Sequence, residues 1–237
     1  MEGIKLLKLL RLEWKKNSMS SYFKSLIICI IGIFAAVALM AVGSGDEKMF
    51  LDYTDFMALT NILISIVFII FASVILSRLV IDEYKNKTVQ LLFTYPLKRK
   101  KIIFAKLSLV FGFCFFSIII ATFMMNIAVY FLNPMMNLFE APVEIQEMVA
   151  TIPSTFINAF MMAGVSLIPL YFGMRKKSTA SAITSAVLIG FFINATVSNG
   201  DTSASLSQFI IVPIIMCLIG LIIGYLSYYK VDKVDLT

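Results

Sequence analysis

Long uninterrupted apolar stretches dominate the pattern of this chain. Six stretches contain no Asp, Glu, Lys or Arg, and each is between 21 and 33 residues long. A helix needs roughly 20 apolar residues to cross the hydrocarbon core of a bilayer, and backbone groups in lipid must be hydrogen-bonded within the segment. Each stretch therefore predicts one membrane-spanning helix. The uncharged stretches are residues 25–45, 56–77, 107–139, 148–174, 178–200 and 202–229.

The pattern predicts an all-α, polytopic membrane protein that forms a single domain over residues 1–237. An outer-membrane barrel is excluded, because its strands would alternate between polar and apolar residues over about ten positions. Pro169 and Pro213 interrupt two of the predicted helices and are expected to kink them. The six predicted transmembrane helices are residues 25–45, 56–77, 102–132, 152–174, 178–197 and 209–229.

The basic residues predict the orientation of these helices. Nineteen of the 20 basic residues lie before the first span, in the connection between spans two and three or on its flanks, between spans four and five, or after span six. The other three connections hold a single basic residue, Lys48, beside eight acidic residues. Because basic loops stay in the cytoplasm, both termini are expected there. The net charge of +6 follows from this topology, so no nucleic-acid partner is expected.

Composition narrows the chemistry that the chain can perform. Hydrophobic residues make up 60% and charged residues 14%, against about 45–50% and about 25% in soluble domains. The absence of histidine excludes Ser-His-Asp triads, Cys-His dyads and His-ligated zinc sites. Cys29, Cys114 and Cys217 all lie in apolar stretches, outside any CxxC motif, and are interpreted as packing residues. No catalytic residue, metal site or cofactor is predicted in this chain.

The N-terminal residues 3–17 predict an amphipathic helix. Leu6, Leu10 and Trp14 recur at four-residue spacing, and basic residues follow a neighbouring face. Such a helix lies in the membrane interface, with its apolar face among the acyl chains and its basic groups at the lipid headgroups. Membrane lipids are therefore expected as partners of this segment.

The predicted spans contain Asn and Ser residues but no ionisable side chain at mid-depth. Proton- and ion-coupled transporters generally place ionisable groups within the membrane to bind and relay charge. If this protein transports a substrate, the energy therefore comes from another subunit, and the route suits an amphipathic or hydrophobic cargo. The candidate residues for such a route are Asn61, Ser65, Asn126 and Asn158.

Small residues indicate where helices approach one another closely. Gly220 and Gly224 form a GxxxG motif in the last span, Gly32 and Ala36 form a related pair in the first, and residues 178–186 are small almost throughout. Packing within one subunit and a seam between two copies both explain this pattern, and the sequence leaves both open. The candidate dimer residues are Gly32, Ala36, Ser181 and Ser185.

The connection at residues 82–101 reads DEYKNKTVQLLFTYPLKRKK and is the most distinctive cytoplasmic segment. Its apolar positions at 89–93 predict a short helix that lies along the membrane surface. Pro96 ends this helix, because the residue before a proline is disfavoured in helical geometry. On composition alone, an ordinary positively charged loop explains the segment equally well.

The order of residues in this segment resembles the ABC-2 family of ABC-transporter permeases. An acidic residue is followed by Lys-Thr, then Gln-Leu-Leu, then Pro-x-x-Arg, and finally a Lys in the next helix. Lys87 replaces the usual Gly and Lys98 the usual Ser, and the short connection at 198–207 leaves no room for the re-entrant helix of many members. The matching residues are Glu83, Thr88, Gln90, Leu91, Leu92, Pro96, Arg99 and Lys106.

The resemblance implies that residues 83–96 form a coupling helix that docks on a separate ABC ATP-binding subunit. The family works with two permeases and two ATPases, so the chain is expected to pair with a second copy or a paralogue. ATP and Mg would bind in the partner, because this chain has no Gly-x-x-x-x-Gly-Lys-[Ser/Thr] loop. The implied ATPase-coupling residues are Glu83, Lys87, Thr88, Gln90, Leu91, Leu92, Pro96 and Arg99.

The resemblance also implies a function, that of a permease subunit in the cell membrane of a prokaryote. Small members of this kind look like those that export, or confer immunity to, membrane-active peptides such as lantibiotics, bacitracin and phenol-soluble modulins, so the expected cargo is an amphipathic peptide. Drug or lipid efflux and a non-transporting scaffold or sensor role are the alternatives. An intramembrane enzyme is disfavoured, because Asp82 and Glu83 are the only adjacent acids at a cytoplasmic membrane face and have no second motif to pair with.

Overall fold

The computed structural model describes residues 14, 19–43, 50, 52–82, 99–136, 145–199, 202–205 and 211–230. Within this part the chain is helical, apart from turns and one short two-stranded ribbon. A single π-helical turn, Ser77–Ile81, extends the second helix. The elements are α1 (Met19–Gly43), α2 (Tyr53–Leu76), α3 (Arg99–Met136), α4 (Ile145–Ala150), α5 (Ile152–Val165), α6 (Pro169–Lys176), α7 (Thr179–Ile193), β1 (Thr196–Asn199), β2 (Thr202–Ser205) and α8 (Ile211–Lys230).

Four helical segments among the described residues are long and apolar enough to cross a membrane, namely Ser21–Gly43, Tyr53–Ile81, Lys101–Met135 and Ile145–Lys176. Two shorter apolar helices, Thr179–Ile193 and Ile211–Ser227, follow them. The helical membrane fold expected from the sequence is therefore confirmed, whereas the count of six crossings and the orientation of the termini stay predictions. The predicted interfacial helix at 3–17 lies outside the described residues, apart from Trp14.

The ribbon after α7 is the one departure from an all-helical chain within the described residues. The helix predicted at 178–197 ends at Ile193, and β1 pairs with β2 in antiparallel register, with Thr196 opposite Ser205 and Asn199 opposite Thr202. Only Gly200 and Asp201 separate the strands, and this dipeptide is typical of two-residue hairpin connections. The absence of charge favoured a longer helix. The Gly-Asp dipeptide and the polar Thr and Ser residues around it favour a hairpin instead.

The helix α2 lies at the centre of the packing. It contacts α3, α7 and α1, and its fully buried side chains include Phe56, Phe68 and Ile69. Edge-to-face aromatic contacts join α1 to this core, with Tyr22 packed 6.0 Å from Phe71 between ring centroids. Because α2 contacts several helices at once, a displacement of either end of α2 would also displace the helices packed against it.

The span predicted as one helix at 152–174 is broken into α5 and α6. The helix stops at Val165 and resumes at Pro169, and the intervening turn is tightened by short-range bonds such as Ile168 N–H to the Val165 carbonyl at 2.9 Å. Pro169 has no N–H to donate, so the break confirms the interruption expected there. Pro213 is the third described residue of α8, and residues 206–210 lie outside the described part of the chain, so the kink expected at Pro213 stays a prediction.

Two helix backbones approach each other closely where α5 crosses α8. A Cβ atom built on Gly220 would overlap the carbonyl oxygen of Gly164 and lie only 2.8 Å from its carbonyl carbon. A Cβ built on Gly164 would overlap the Cys217 Sγ atom. The GxxxG motif of the last span therefore packs within the subunit, because only glycine lets the two backbones come this close.

Candidate functional site

The π-helical turn at the end of α2 is the clearest departure from regular helix geometry in the described chain. The N–H of Asp82 bonds to the carbonyl of Ser77, five residues back, where an α-helix would bond four residues back. Single π-turns inside helices are rare and are frequent at functional sites. This turn leads directly into residues 83–98, which hold most of the predicted coupling segment.

A buried lysine ties this turn to α3. The side chain of Lys106 is only 2% exposed, and its Nζ donates a hydrogen bond of 2.8 Å to the carbonyl oxygen of Leu79 in the π-turn. Burying an ammonium group is costly unless it is hydrogen-bonded, so this contact makes the position of Lys106 tolerable. The two helices on either side of residues 83–98 are therefore joined to each other directly.

Two further helices pack closely against the same turn. A Cβ built on Gly173 of α6 would overlap the Ile81 side chain and lie 2.9 Å from the Cβ of Ala182 in α7. The link between α6 and α7 is short and basic, and it closes through Lys177, which adopts a left-handed conformation with φ 47°. Glycine at 173 is therefore what lets α6 and α7 reach the π-turn together.

The first helix also reaches the π-turn, on its exposed side. The Arg78 guanidinium donates a long hydrogen bond of 3.4 Å to the Tyr22 hydroxyl, and its central carbon lies 5.9 Å from the centroid of the same ring. Helices α1, α3, α6 and α7 therefore all contact one turn of chain. We call this arrangement the π-turn junction, made of Ser77–Ile81 with Lys106, Gly173, Ala182 and Tyr22.

Two buried hydroxyl groups, one in the last turn of α2 and one in the π-turn, have no hydrogen-bond partner among the described residues. Within the part of the chain that the structure describes, Ser73 Oγ and Ser77 Oγ have no hydrogen-bond partner, and both side chains are at most 2% exposed. Serines in helices commonly bond back to a carbonyl three or four residues earlier, as Ser185 of α7 does to the Ala182 carbonyl at 2.8 Å. The end of α2 therefore leaves polar groups unpaired beside an irregular turn, which is a costly arrangement in an apolar interior.

Of the eight predicted ATPase-coupling residues, only Arg99 lies in the described part of the chain. The segment from 83 to 98 lies outside the described residues, so the placement of most of them stays a prediction. Arg99 is the first residue of α3, although its side chain is not described. Lys106, the last residue of the matching motif, lies in the junction itself. The coupling residues outside the described part are Glu83, Lys87, Thr88, Gln90, Leu91, Leu92 and Pro96.

The four polar residues predicted for a cargo route occupy different environments. Asn126 is buried, and its side-chain oxygen accepts a hydrogen bond from the Tyr53 hydroxyl at the start of α2. Ser65 is also buried, whereas Asn61 and Asn158 are half-buried. The Asn126 contact joins α2 to α3, so this residue has a packing role whatever else it does.

The residues predicted for dimer packing fall into two groups. Gly32 and Ala36 are exposed on α1, and a Cβ added to Gly32 would have no neighbouring atom within 4 Å. Ser185 is buried and donates to the Ala182 carbonyl at 2.8 Å, while the half-buried Ser181 donates to the Phe172 carbonyl at 3.5 Å. The α1 pair therefore faces outward, and the hydroxyls of the α7 pair bond within their own chain.

Most residues of the junction were not predicted from the sequence. Gly173 carried no motif, Arg78 was counted only as a basic residue, and nothing in Ser77–Ile81 announces a π-turn. Lys106 was included only through the family resemblance. Its position seven residues into α3 was a usable signal, because a lysine inside an apolar helix needs a specific partner.

Comparison with known proteins agrees with the helical membrane architecture. Residues 9–194 match the family model described as "ABC-2 family transporter protein". A Bacillus subtilis protein, YcbO, described as uncharacterized, is 29% identical over 231 residues, which cover 97% of this chain and all of YcbO. No solved structure matches the chain.

Proposed function

The chain belongs to the ABC-2 family of transporter proteins, and on this premise we propose that it is the permease subunit of an ATP-driven exporter. Membership makes it a multi-pass membrane transport component, and the family implies an ABC ATP-binding partner. The proposal adds the direction, the coupling route and the cargo. It also adds the location, the cytoplasmic membrane of a prokaryote, which the similarity to a Bacillus subtilis protein supports.

The π-turn junction is the observation that carries the proposal. The coupling segment implied by the family resemblance lies between Asp82 and Arg99, and the chain is anchored at both sides of it. On one side the π-turn contacts α6 and α7, and on the other Lys106 holds α3 to the Leu79 carbonyl at 2.8 Å. A force applied to this segment by a partner would therefore reach several helices at once.

An amphipathic peptide is the proposed cargo. The apolar spans carry no ionisable group at mid-depth, so a relay of ions has no chemical basis there. Apolar walls with scattered amides and hydroxyls favour a molecule that is itself partly apolar. Drug or lipid efflux is the alternative within the same chemistry.

A second copy of this chain, or a paralogue, is the proposed membrane partner. Gly32 and Ala36 support this, because they form an outward-facing surface of low relief on α1. Small residues of this kind let two helices approach closely in lipid. The proposed exporter contains two such permeases and two ATP-binding subunits.

The proposal is tested by purifying the tagged chain from its own host membrane and reconstituting it with the ATP-binding subunit that accompanies it. Replacement of Leu91 and Leu92 by alanine is expected to reduce ATPase binding and cargo-stimulated ATP hydrolysis by tenfold or more. Glu83→Gln is expected to retain binding but uncouple hydrolysis from transport. The control replaces Leu188 and Leu218 by alanine. Both are exposed on α7 and α8, so this variant should bind the ATPase and stimulate hydrolysis like the parent protein.

Three outcomes would contradict parts of the proposal. Normal coupling in the Leu91 and Leu92 variant would refute the coupling segment. Transport of drugs or lipids without transport of amphipathic peptides would replace the proposed cargo by the alternative. Stable assembly with the ATPase in the absence of any transport would indicate a scaffold or sensor subunit.

A further inference from the structure

An apolar groove lies between α3, the turn that separates α5 from α6, and α8. Its volume is about 530 Å³, which falls within the range of roughly 300–1,000 Å³ typical of small-molecule sites. Leu167 of the broken turn lies between the two helices, and Leu221 contributes to the wall formed by α8. The groove is independent of the π-turn junction, because none of its lining residues belongs to that arrangement.

The α3 wall of this groove has one charged end, and the rest of it is apolar except for Ser108. Lys101, Phe104, Ser108 and Phe111 line it at spacings of three and four residues, which places them along one face of the helix. At about 1.5 Å per residue, this face extends for roughly 15 Å from the basic end toward the interior of the span. The groove therefore has the polarity of an amphiphile, with a cation at one end and an apolar channel beyond it.

The α8 wall keeps the groove open. A Cβ built on Gly224 would lie 3.4 Å from Leu167 Cδ1 and 3.9 Å from Leu107 Cδ1, so alanine fits there but a larger side chain would enter the groove. Tyr225, the next residue, also lines the groove and is 64% exposed. Tyrosine is typical of the membrane–water interface, where its ring contacts lipid and its hydroxyl reaches water.

We propose that this groove binds one anionic phospholipid, with an acyl chain along α3 and the phosphate at Lys101. The basic run Lys98–Lys101 supports an anionic headgroup, because clusters of lysine and arginine beside a membrane helix attract acidic lipids. A second copy of the chain fits less well, since a twofold contact through this groove would bring the same basic end of each copy to one interface. The proposal goes beyond the transport function and does not depend on the cargo.

The test uses the purified full chain in detergent and native mass spectrometry. Phosphatidylglycerol and phosphatidylcholine with identical acyl chains are added in turn, and the fraction of protein that retains each lipid is measured. Phosphatidylglycerol is expected to be retained preferentially. Lys101→Gln should lower its apparent affinity about fivefold, and Gly224→Phe should remove retention of both lipids by filling the groove.

Lys176→Gln is the matched control. It removes one exposed positive charge from the last turn of α6, outside the groove, and should leave retention unchanged. Equal retention of the two lipids, no effect of Lys101→Gln, or an equal loss in Lys176→Gln would each overturn the proposal. Loss of a dimer in Lys101→Gln with lipid retention intact would also overturn it, by making the groove an interface between copies.

Discussion

Replacing Gly220 by alanine tests how closely α5 and α8 approach each other. The added methyl group would overlap the Gly164 carbonyl oxygen and lie 2.8 Å from its carbonyl carbon, where ordinary van der Waals contact begins at 3.4 Å. The obstacle is backbone, which cannot rotate out of the way as a side chain can. The two helices must therefore separate, and they lose contacts along the whole crossing.

The magnitude follows from two opposing effects. Overpacking a well-packed contact typically costs about 1–3 kcal/mol, whereas alanine in place of glycine inside a helix contributes about 0.5–1 kcal/mol of stability. Gly32→Ala isolates the second effect, because a methyl group there meets no atom within 4 Å. The helix effect is the same in both variants, so relative to that control Gly220→Ala is expected to lower the free energy of unfolding by about 1–3 kcal/mol.

Each variant is heated in detergent to a series of temperatures, and size-exclusion chromatography then measures the fraction of protein that remains folded. Gly220→Ala should unfold roughly 2–12 °C below Gly32→Ala, at about 2–4 °C per kcal/mol for a chain of this size. Gly224→Ala should resemble the control, since its methyl group would make only ordinary contacts with Leu167 and Leu107. If Gly220→Ala were as stable as the other two variants, the backbone-to-backbone crossing would be refuted.

Two further predictions concern the π-turn junction. Lys106→Met keeps the buried stem but removes the donor to the Leu79 carbonyl, so the free energy of unfolding should fall by about 1–3 kcal/mol; an unchanged denaturant midpoint would contradict the contact. Gly173→Ala should cost about 1–3 kcal/mol, because its methyl group would overlap the Ile81 side chain and crowd Ala182. Ile81→Val removes the Ile81 Cδ1 atom, so in the double variant it should restore part of the stability that Gly173→Ala loses. Strictly additive effects of the two substitutions would contradict close packing at this contact.

The helices were predictable because lipid leaves the backbone few alternatives. Six charge-free stretches correspond in order to the apolar helices, and the interruption at Pro169 follows from its missing N–H. The end of α7 was not predictable from charge, because Thr196 and its neighbours are uncharged yet form a strand. Charged residues predict where the other apolar helices end, whereas the hairpin that follows Ile193 determines where α7 ends.

Which face of each helix points inward was much harder to predict. In a soluble helix the apolar stripe identifies the buried face, whereas these helices are apolar on every side. Gly220 and Gly32 therefore carried the same signal in the sequence, yet the first lies in a helix crossing and the second faces outward. The junction also escaped prediction, since the partner of Lys106 is a backbone carbonyl that no residue type announces.

The contact between Lys106 and Leu79 also bears on how the protein is made. The two residues are 27 positions apart in the chain, on consecutive helices. During synthesis α2 reaches the membrane before α3, so the Leu79 carbonyl is present before the Lys106 side chain that donates to it. The lysine arrives with α3, and the bond to that carbonyl offsets part of the cost of burying it. The second and third helices are therefore best inserted together, as a pair joined by this contact.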